Sequence, residues 1–311
     1  AIGQASLTAS TTASNNTALG YQSLTANTTG VNNVAVGSLS LDASTTGNFN
    51  VGLGHNALGS NTTASYNTAV GNNALLTNTT GTRNVAMGAS ALDANTVGGK
   101  NVAIGMDALG TNVDGSRSVA IGDSALATQD PASAIEMYNT AVGHAAGTAI
   151  TTGGLNTLVG ALSGDALTIG NSNVTLGYLA LSRDTTGDRS TAIGFQTLAN
   201  QNFTSNTDTY NTAVGYNAGV NVTTGDANTL IGGLAGDALT VGNGNVALGY
   251  ASLSTDTKGD RNVAIGREAL FTQNFTTSTD SYNTAVGYHA GNDVTTGVEN
   301  TLIGGLAGDA I

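Results

Sequence analysis

Asn101-Val-Ala-Ile-Gly105 is the stretch that decides the fold, because versions of it return along the whole chain at fixed intervals. Self-similarity at a fixed period is the signature of a repeat architecture. We therefore count each unit from the first residue of this motif, which is position 1. The starts are Asn16, Asn33, Asn50, Asn67, Asn84, Asn101, Ser118, Asn139, Asn156, Asn173, Ser190, Asn211, Asn228, Asn245, Asn262, Asn283 and Asn300.

Two spacings separate these starts. Most steps are 17 residues, and the three steps that end at Asn139, Asn211 and Asn283 are 21 residues. We predict one continuous repeat domain over 1–311, with 17-residue rungs over 1–138 that end in a first 21-residue rung, and 72-residue super-repeats over 139–311. Because the chain starts and stops inside a unit without end caps, we expect it to be a window on a longer polypeptide.

Each unit is predicted to form one coil of a parallel stack. Thr or Val at position 2, a small residue at position 3, an aliphatic residue at position 4 and Gly at position 5 indicate a short β-strand. The small residue and Leu at positions 8 and 9 suggest a second strand, and turns such as Asn27–Gly30 close the coil. The predicted fold is all-β, a parallel β-solenoid (β-roll) of 17-residue rungs with periodic 21-residue rungs.

Position 3 predicts where chains meet. It is Ala in most units and is never charged, while positions 2 and 4 are apolar or β-branched, so both faces of the strand avoid water. One coil covers only one face, and we expect sister chains to cover the other in a trimer. The alternative is that the alanines only avoid crowding on an exposed face. The predicted subunit seam is Ala18, Ala35, Ala69, Ala86, Ala103, Ala120, Ala141, Ala213 and Ala285.

The 21-residue rungs carry longer loops, at 127–138, 199–210 and 271–282. Loops carry function more often than scaffolds do, and exposed aromatic side chains suit contacts with carbohydrate or protein. The alternative is that these rings fold back over the seam. The predicted surface-contact residues are Pro131, Met137, Tyr138, Phe203, Tyr210, Phe271, Phe275 and Tyr282.

Composition excludes several classes of partner. The formal net charge is −12 with only eight Lys and Arg, whereas nucleic-acid binding needs a cationic surface, so no nucleic acid is expected. The same charge disfavours docking on anionic lipid, and no run of 18 apolar residues exists, so we expect no membrane contact within this segment. The absence of Cys removes disulfides and thiol chemistry.

Residues suited to catalysis or metal binding are sparse, and we predict no catalytic, cofactor or metal site and no enzyme activity. The histidines are far apart in the sequence and are expected to be solvated turn residues, and the acidic residues of the super-repeat are expected to form a charged surface beside Arg189 and Arg261. These residues are His55, His144 and His289, and the pairs Asp184 with Asp188 and Asp256 with Asp260. The Gly-Asp-Ala aspartates Asp165, Asp237 and Asp309 form another repeated row, in which calcium is not expected because the Gly/Asp nonapeptide motif of calcium-binding rolls is absent.

Three cations occupy position 17 of successive units, Arg83, Lys100 and Arg117. Like charges stacked at strand spacing repel each other unless they are paired. We therefore expect partners among nearby carboxylates or on a neighbouring chain. The candidate carboxylates are Asp93, Asp107 and Asp114.

Particular stretches of the chain resemble known repeats. Asn16–Leu24 with its turn Asn27–Gly30, and Asn211–Ala218, are similar to the repeats of large bacterial surface proteins and phage tail fibres. The cores Asn101–Gly105 and Asn262–Gly266 resemble the head repeats of YadA-like trimeric autotransporter adhesins, although the 17-residue period departs from that shorter unit. The resemblance covers the whole chain and implies a homotrimeric, left-handed parallel β-roll displayed outside the cell or on a virion.

The expected function is structural and adhesive. We expect a fibre shaft or stalk that mediates attachment through self-association and contact with a cell-surface glycan or protein receptor. A phage tail-fibre or tail-spike segment, with or without glycan-degrading activity, is the alternative. Ice binding is a third hypothesis, because Thr pairs stack at Thr28 and Thr45, but this array breaks at Val97.

Overall fold

A computed structural model describes residues 1–309 of the chain. Two compact units are present, Ala1–Leu155 and Asn156–Ile311, and each is described by itself. In the described residues of both units the regular secondary structure is β-strand joined by turns, with no helix. The predicted all-β class is confirmed.

The first unit contains eight three-residue strands, one per rung. Each strand pairs in parallel with the strand of the next rung, in register, so that Val102 lies beside Val119 and Ala103 beside Ala120. The strands are β1 (Thr17–Leu19), β2 (Val34–Val36), β3 (Val51–Leu53), β4 (Thr68–Val70), β5 (Val85–Met87), β6 (Val102–Ile104), β7 (Val119–Ile121) and β8 (Thr140–Val142).

The second unit repeats this parallel ladder and adds two small sheets. The ladder consists of β9 (Thr157–Val159), β10 (Val174–Leu176), β12 (Thr191–Ile193), β14 (Thr212–Val214), β15 (Thr229–Ile231), β16 (Val246–Leu248), β18 (Val263–Ile265), β20 (Thr284–Val286) and β21 (Thr301–Ile303). The small sheets are two-residue pairs, β11 (Gly187–Asp188) with β13 (Thr207–Asp208) and β17 (Gly259–Asp260) with β19 (Thr279–Asp280). Each arises where a 21-residue rung folds against the rung before it.

Position 5 requires glycine because successive rungs approach closely there. Gly20 has φ of 139°, and a β-carbon on it would lie 2.5 Å from the carbonyl oxygen of Gly37. An L side chain therefore meets both a disfavoured backbone conformation and a backbone clash. The glycine that the sequence repeats at position 5 is thus the residue that lets the coils stack.

The predicted second strand at positions 8 and 9 is absent, and a turn occupies positions 6–11. Alternate residues there adopt left-handed backbone, as Gln22 does with φ of 53° and Leu24 with φ of 51°. Each such residue costs about 1–2 kcal/mol. Leu24 is fully buried, and burying a leucine gains a similar amount, about 1.5–3 kcal/mol. The turns still join the rungs, since Leu24 N donates to Ser40 O at 3.0 Å.

The core of each coil contains positions 3, 8 and 9, and its packing varies in a compensating way. Most rungs combine Ala at position 3 with Leu at position 9, as Ala69 and Leu75 do, and both are fully buried. Where position 3 is the larger Leu158, position 9 is Gly164, and a β-carbon there would lie 3.0 Å from Leu158 Cδ2. A leucine at position 3 is therefore accompanied by a glycine at position 9 of the same coil, which leaves room for it.

Buried asparagines at position 1 tie each rung to the next. Asn67 Nδ2 donates to Gly81 O at 2.8 Å within its own coil, and its Oδ1 accepts the backbone N–H of Asn84 at 2.9 Å. Amide groups chain directly to one another at position 12 instead, where Asn95 Nδ2 donates to Asn78 Oδ1 at 2.8 Å. These bonds satisfy polar groups that a thin coil buries.

The 17-residue parallel β-solenoid is thus confirmed, with 21-residue rungs at the predicted places. Trimer formation and a single continuous domain over 1–311 stay predictions.

Candidate functional site

The outward side of the strand ladder in each unit is a uniform, uncharged surface. Strand positions 2 and 4 point outward and are partly exposed, whereas position 3 points inward, as Val102 and Ile104 show on either side of the buried Ala103. All of the outward residues in β1–β10, β12, β14–β16, β18, β20 and β21 are Thr, Val, Leu, Ile or Met, without a charge. We call these two columns the outer face. Leu19 on it is 44% exposed and Met87 is 42% exposed.

The predicted seam of alanines is wrong. All nine of these side chains are 0–2% exposed in the single chain, because each points into the interior of its own coil. A residue enclosed by its own chain cannot contact a sister chain. The enclosed alanines are Ala18, Ala35, Ala69, Ala86, Ala103, Ala120, Ala141, Ala213 and Ala285.

The predicted contact residues of the long loops divide into two groups. The rings of Phe203 and Phe275 are only 7% exposed, Met137 and Pro131 are also buried, and Phe271 is half-buried. For the four buried residues the surface-contact prediction is wrong, and they fold inward as the alternative describes, although into their own chain and not over a seam. For Phe271 it stays a prediction. The tyrosines that end the loops are exposed as predicted: Tyr138 by 46%, Tyr210 by 58% and Tyr282 by 49%.

A buried carboxylate draws each phenylalanine loop inward. Asp184 is fully buried, and its Oδ1 accepts the N–H of Gly187 at 3.1 Å and of Phe203 at 3.2 Å. Its Oδ2 accepts Nε2 of Gln201 at 2.5 Å. Asp256 repeats this arrangement with Phe275. The expectation that these aspartates lie on a charged surface is wrong, because they replace the position 12 amides as internal acceptors.

Each tyrosine that ends a long loop packs against an arginine of the preceding rung. The guanidinium carbon lies 5.6 Å from the Tyr138 ring centroid for Arg117, and 5.7 Å from the Tyr210 and Tyr282 rings for Arg189 and Arg261. Such contacts at exposed sites contribute about 0.5–1 kcal/mol. A carboxylate pairs with each arginine as well: Arg117 with Glu136, Arg189 with Asp208 and Arg261 with Asp280.

Charge and hydrogen bonding shift the titration of the first of these clusters. The Tyr138 hydroxyl, followed by the Arg117 guanidinium, lowers the pKa of Glu136 by stabilising its ionised form. The same hydrogen bond to Glu136 raises the pKa of Tyr138. Glu136 is therefore the ionised partner of Arg117 near neutral pH.

The three stacked cations Arg83, Lys100 and Arg117 have unequal surroundings. Arg117 pairs with Glu136, with 2.5 Å between Nε and Oε1, and Arg83 lies 5.9 Å from the Tyr66 ring centroid. No carboxylate of residues 1–309 forms an ion pair with Lys100. The predicted partners are wrong for this stack. Asp93, Asp107 and Asp114 form no ion pair with it, and burial followed by the charge of Asp107 raises the pKa of Asp93.

Next to these cations is a surface cavity of about 180 Å³. Position 16 of three successive rungs lines it, as Thr82, Gly99 and Ser116. The lining residues are Thr80, Thr82, Val97, Gly99, Lys100, Ser116, Arg117 and Glu136.

Comparison with protein-family models, with curated proteins and with solved structures gives no match to this chain.

An aromatic ladder at position 6 of the second unit was missed by the sequence reasoning. Tyr178, Phe195 and Tyr216 stack in successive rungs with centroids 5.7 and 5.4 Å apart. The sequence does carry aromatic residues at position 6 of three consecutive units. Only the register of the stacked rungs shows that these rings are in contact. The three residues remain 41–58% exposed.

The remaining titratable residues are dispersed. His55 and His144 are exposed in turns, and His289 pairs with Glu268 at 2.8 Å. Burial raises the pKa of Asp165 and of Asp237. Residues 1–309 contain no group of three or more His, Cys, Asp or Glu side chains arranged for a metal ion. Within the same residues, no helix has the length and apolar character to span a bilayer.

Proposed function

We propose that this chain is a structural segment of an extracellular fibre, a shaft or stalk at a cell surface or on a virion, that contributes to attachment. Copies of the chain associate side by side through the outer face, as a homotrimer. The observation that carries this proposal is the outer face itself, two uncharged columns of Thr, Val, Leu, Ile and Met that a single chain leaves partly exposed. Monomeric soluble proteins rarely leave so large an apolar surface uncovered.

The area of the outer face is sufficient for a stable contact. A three-residue strand is about 10 Å long and occupies about 4.8 Å of sheet width, so each strand offers about 50 Å². Over the 17 strands of the two ladders this is about 800 Å², which is about what each partner buries in a standard interface.

The proposed contact between chains lies on the outer face and not at the predicted alanine seam. The physical reason for expecting a contact between chains is the same. Positions 2 and 4 are apolar on a strand whose other side is already filled by its own coil. The apolar residues on the outer side can be shielded from water only if another chain covers them. A sister chain carries the same uncharged columns, and a symmetric contact buries matching surfaces.

A glycan-degrading tail spike is the alternative function, and no observation favours it over a scaffold. Glycoside hydrolysis needs two carboxyl groups facing a bound substrate. Asp184 and Asp256 instead accept backbone and glutamine N–H groups in the interior of their coils.

The native mass of the purified chain tests the proposal. A trimer of the 30.6 kDa chain has a mass of about 92 kDa, three times the monomer, by light scattering after gel filtration. Ile104→Lys together with Ile121→Lys places charge on the outer face, and we expect the mass to fall toward that of one chain. The matched control is Thr46→Lys with Thr63→Lys, at exposed turn positions of the same unit, which should leave the mass unchanged. A monomeric parent chain would refute the proposal.

A further inference from the structure

The stack of Arg83, Lys100 and Arg117 is unusual in this chain, which has eight basic and 20 acidic residues. Neighbouring rungs are about 4.8 Å apart, and like charges at this spacing repel. Arg117 is neutralised by Glu136, and the Tyr66 ring lies beside Arg83. Lys100, in the middle, forms no ion pair within residues 1–309. The charge of Lys100 contributes to lowering the pKa of Glu136, so this carboxylate acts on the lysine from a distance, without a direct ion pair that would occupy its ammonium group.

The cavity of about 180 Å³ borders this cation directly. Lys100 and Arg117 line it together with the hydroxyl-bearing residues Thr80, Thr82 and Ser116. One water molecule needs only about 10–15 Å³ of such space. The cavity therefore has room for a ligand much larger than one water.

The other lining groups can bind hydroxyls. Ser116 Oγ accepts the N–H of Gly99 at 3.0 Å and keeps its own proton to donate. Within the described residues, the hydroxyls of Thr80 and Thr82 form no hydrogen bond to another group. Glu136 adds a negative charge at the rim, but Arg117 and the Tyr138 hydroxyl already bind it.

We propose that this cavity binds an acidic saccharide, with the carboxylate or sulfate group of the sugar paired to Lys100 and its hydroxyls bonded to Thr80, Thr82 and Ser116. This proposal rests on the attachment role proposed above and names the class of ligand. An acidic peptide would supply carboxylates but not the ring hydroxyls that suit the three hydroxyl-bearing side chains. Charge-assisted hydrogen bonds of this kind are stronger than neutral ones.

The lysine content of the chain makes a direct test available, because Lys100 and Lys258 are its only lysines. With ¹⁵N-lysine labelling, the two side-chain signals are followed by NMR during titration of the full chain with sodium glucuronate, glucose 6-sulfate, methyl glucoside and inorganic sulfate. We expect glucuronate or glucose 6-sulfate to shift the Lys100 signal to saturation, with little change at Lys258 and none with methyl glucoside. Equal shifts at the two lysines would refute a site at Lys100.

Two variants and a peptide probe complete the test. Lys100→Gln should weaken binding of the acidic sugar about tenfold or more, the loss expected for one charged hydrogen bond, whereas Lys258→Gln should leave it unchanged. Inorganic sulfate or a hexaglutamate peptide that binds as tightly as the acidic sugars would overturn the saccharide assignment. The native mass of the same samples distinguishes failure of this proposal from failure of the fibre proposal. If the chain is a trimer but does not bind acidic sugars, only the ligand site is refuted.

Discussion

Gly219 lies against Leu230 in the core of the second unit, and a β-carbon on Gly219 would come within 2.7 Å of Leu230 Cδ1. The glycine provides the space that the leucine of the next rung fills. Elsewhere the same two positions hold the opposite pair, as Leu58 and Ala69 do, with both side chains fully buried. In each of these two arrangements, a leucine at one position faces a small residue at the other.

This exchange predicts a compensating double substitution. Gly219→Leu alone should destabilise the chain by about 1–3 kcal/mol through overpacking, although its backbone conformation is one that Leu24 also adopts. Adding Leu230→Ala should recover most of the loss. Urea unfolding of the two variants and the parent measures the effect. A double variant that is less stable than either single variant would contradict the pairing.

The position 1 asparagines should be costly to remove. Asn67→Ala breaks the bonds to Gly81 O and from the Asn84 N–H, and it leaves buried polar groups without partners. At about 1–3 kcal/mol for each group, we expect a loss of about 2–4 kcal/mol in the free energy of unfolding. The control is Asn72→Ala, at the exposed position 6 of the same rung. It should change the free energy of unfolding by less than about 0.5 kcal/mol.

Removal of the buried Asp256 carboxylate should open the long loop that follows it. Its oxygens accept the N–H groups of Gly259 at 2.9 Å and Phe275 at 3.2 Å and the Gln273 amide at 2.6 Å. Asp256→Ala leaves these donors unsatisfied, and we expect a loss of about 3 kcal/mol.

Hydrogen exchange at the Phe275 amide is the local readout for that variant, and it should quicken markedly. Asp293→Ala, at an exposed turn of the same unit, is the control and should leave the exchange unchanged. Unaltered protection of Phe275 in the Asp256 variant would show that the carboxylate does not hold the loop.

Asp165 should make stability depend on pH. Burial raises the pKa of this aspartate, and its Oδ1 has no hydrogen-bond partner in residues 1–309. A raised pKa means that the folded chain binds the proton more tightly, so stability falls as pH rises through the ordinary range of aspartate to the raised value. Asp165→Asn should stabilise the chain at pH 7, by less than about 1 kcal/mol because the group is half-exposed, and not at pH 3.

Melting temperatures of parent and variant at the two pH values check this prediction. Asp237 provides a matched comparison, because it is the same position of the next super-repeat and accepts a hydrogen bond from Ser254 Oγ at 2.5 Å. Its Asn variant should gain less. A gain at pH 3 equal to that at pH 7 would exclude charge burial as the cause.

Much of the scaffold could be predicted because every rung repeats the same residue types at the same positions. Gly20 and its equivalents mark the close approach of backbones, and the period of 17 places them one above another. The exposed tyrosines of the long loops could also be predicted, since Tyr138 directly precedes position 1 of the next rung, where other rungs carry the cations Arg83 and Lys100. These features depend on spacing and residue size, which the sequence shows directly.

What the sequence determined by itself is that a stack of 17-residue coils forms, because an invariant glycine and a strand motif at one period permit few other arrangements. Only the tertiary structure decided which side of that strand faces inward. Ala103, Val102 and Ile104 all avoid water, and it is the narrowness of the coil, already filled by Leu109, that admits the alanine and leaves Val102 and Ile104 on the outside. The inward turn of Phe203 was decided in the same way, by the donors gathered around Asp184, which are far apart in sequence until the coils stack.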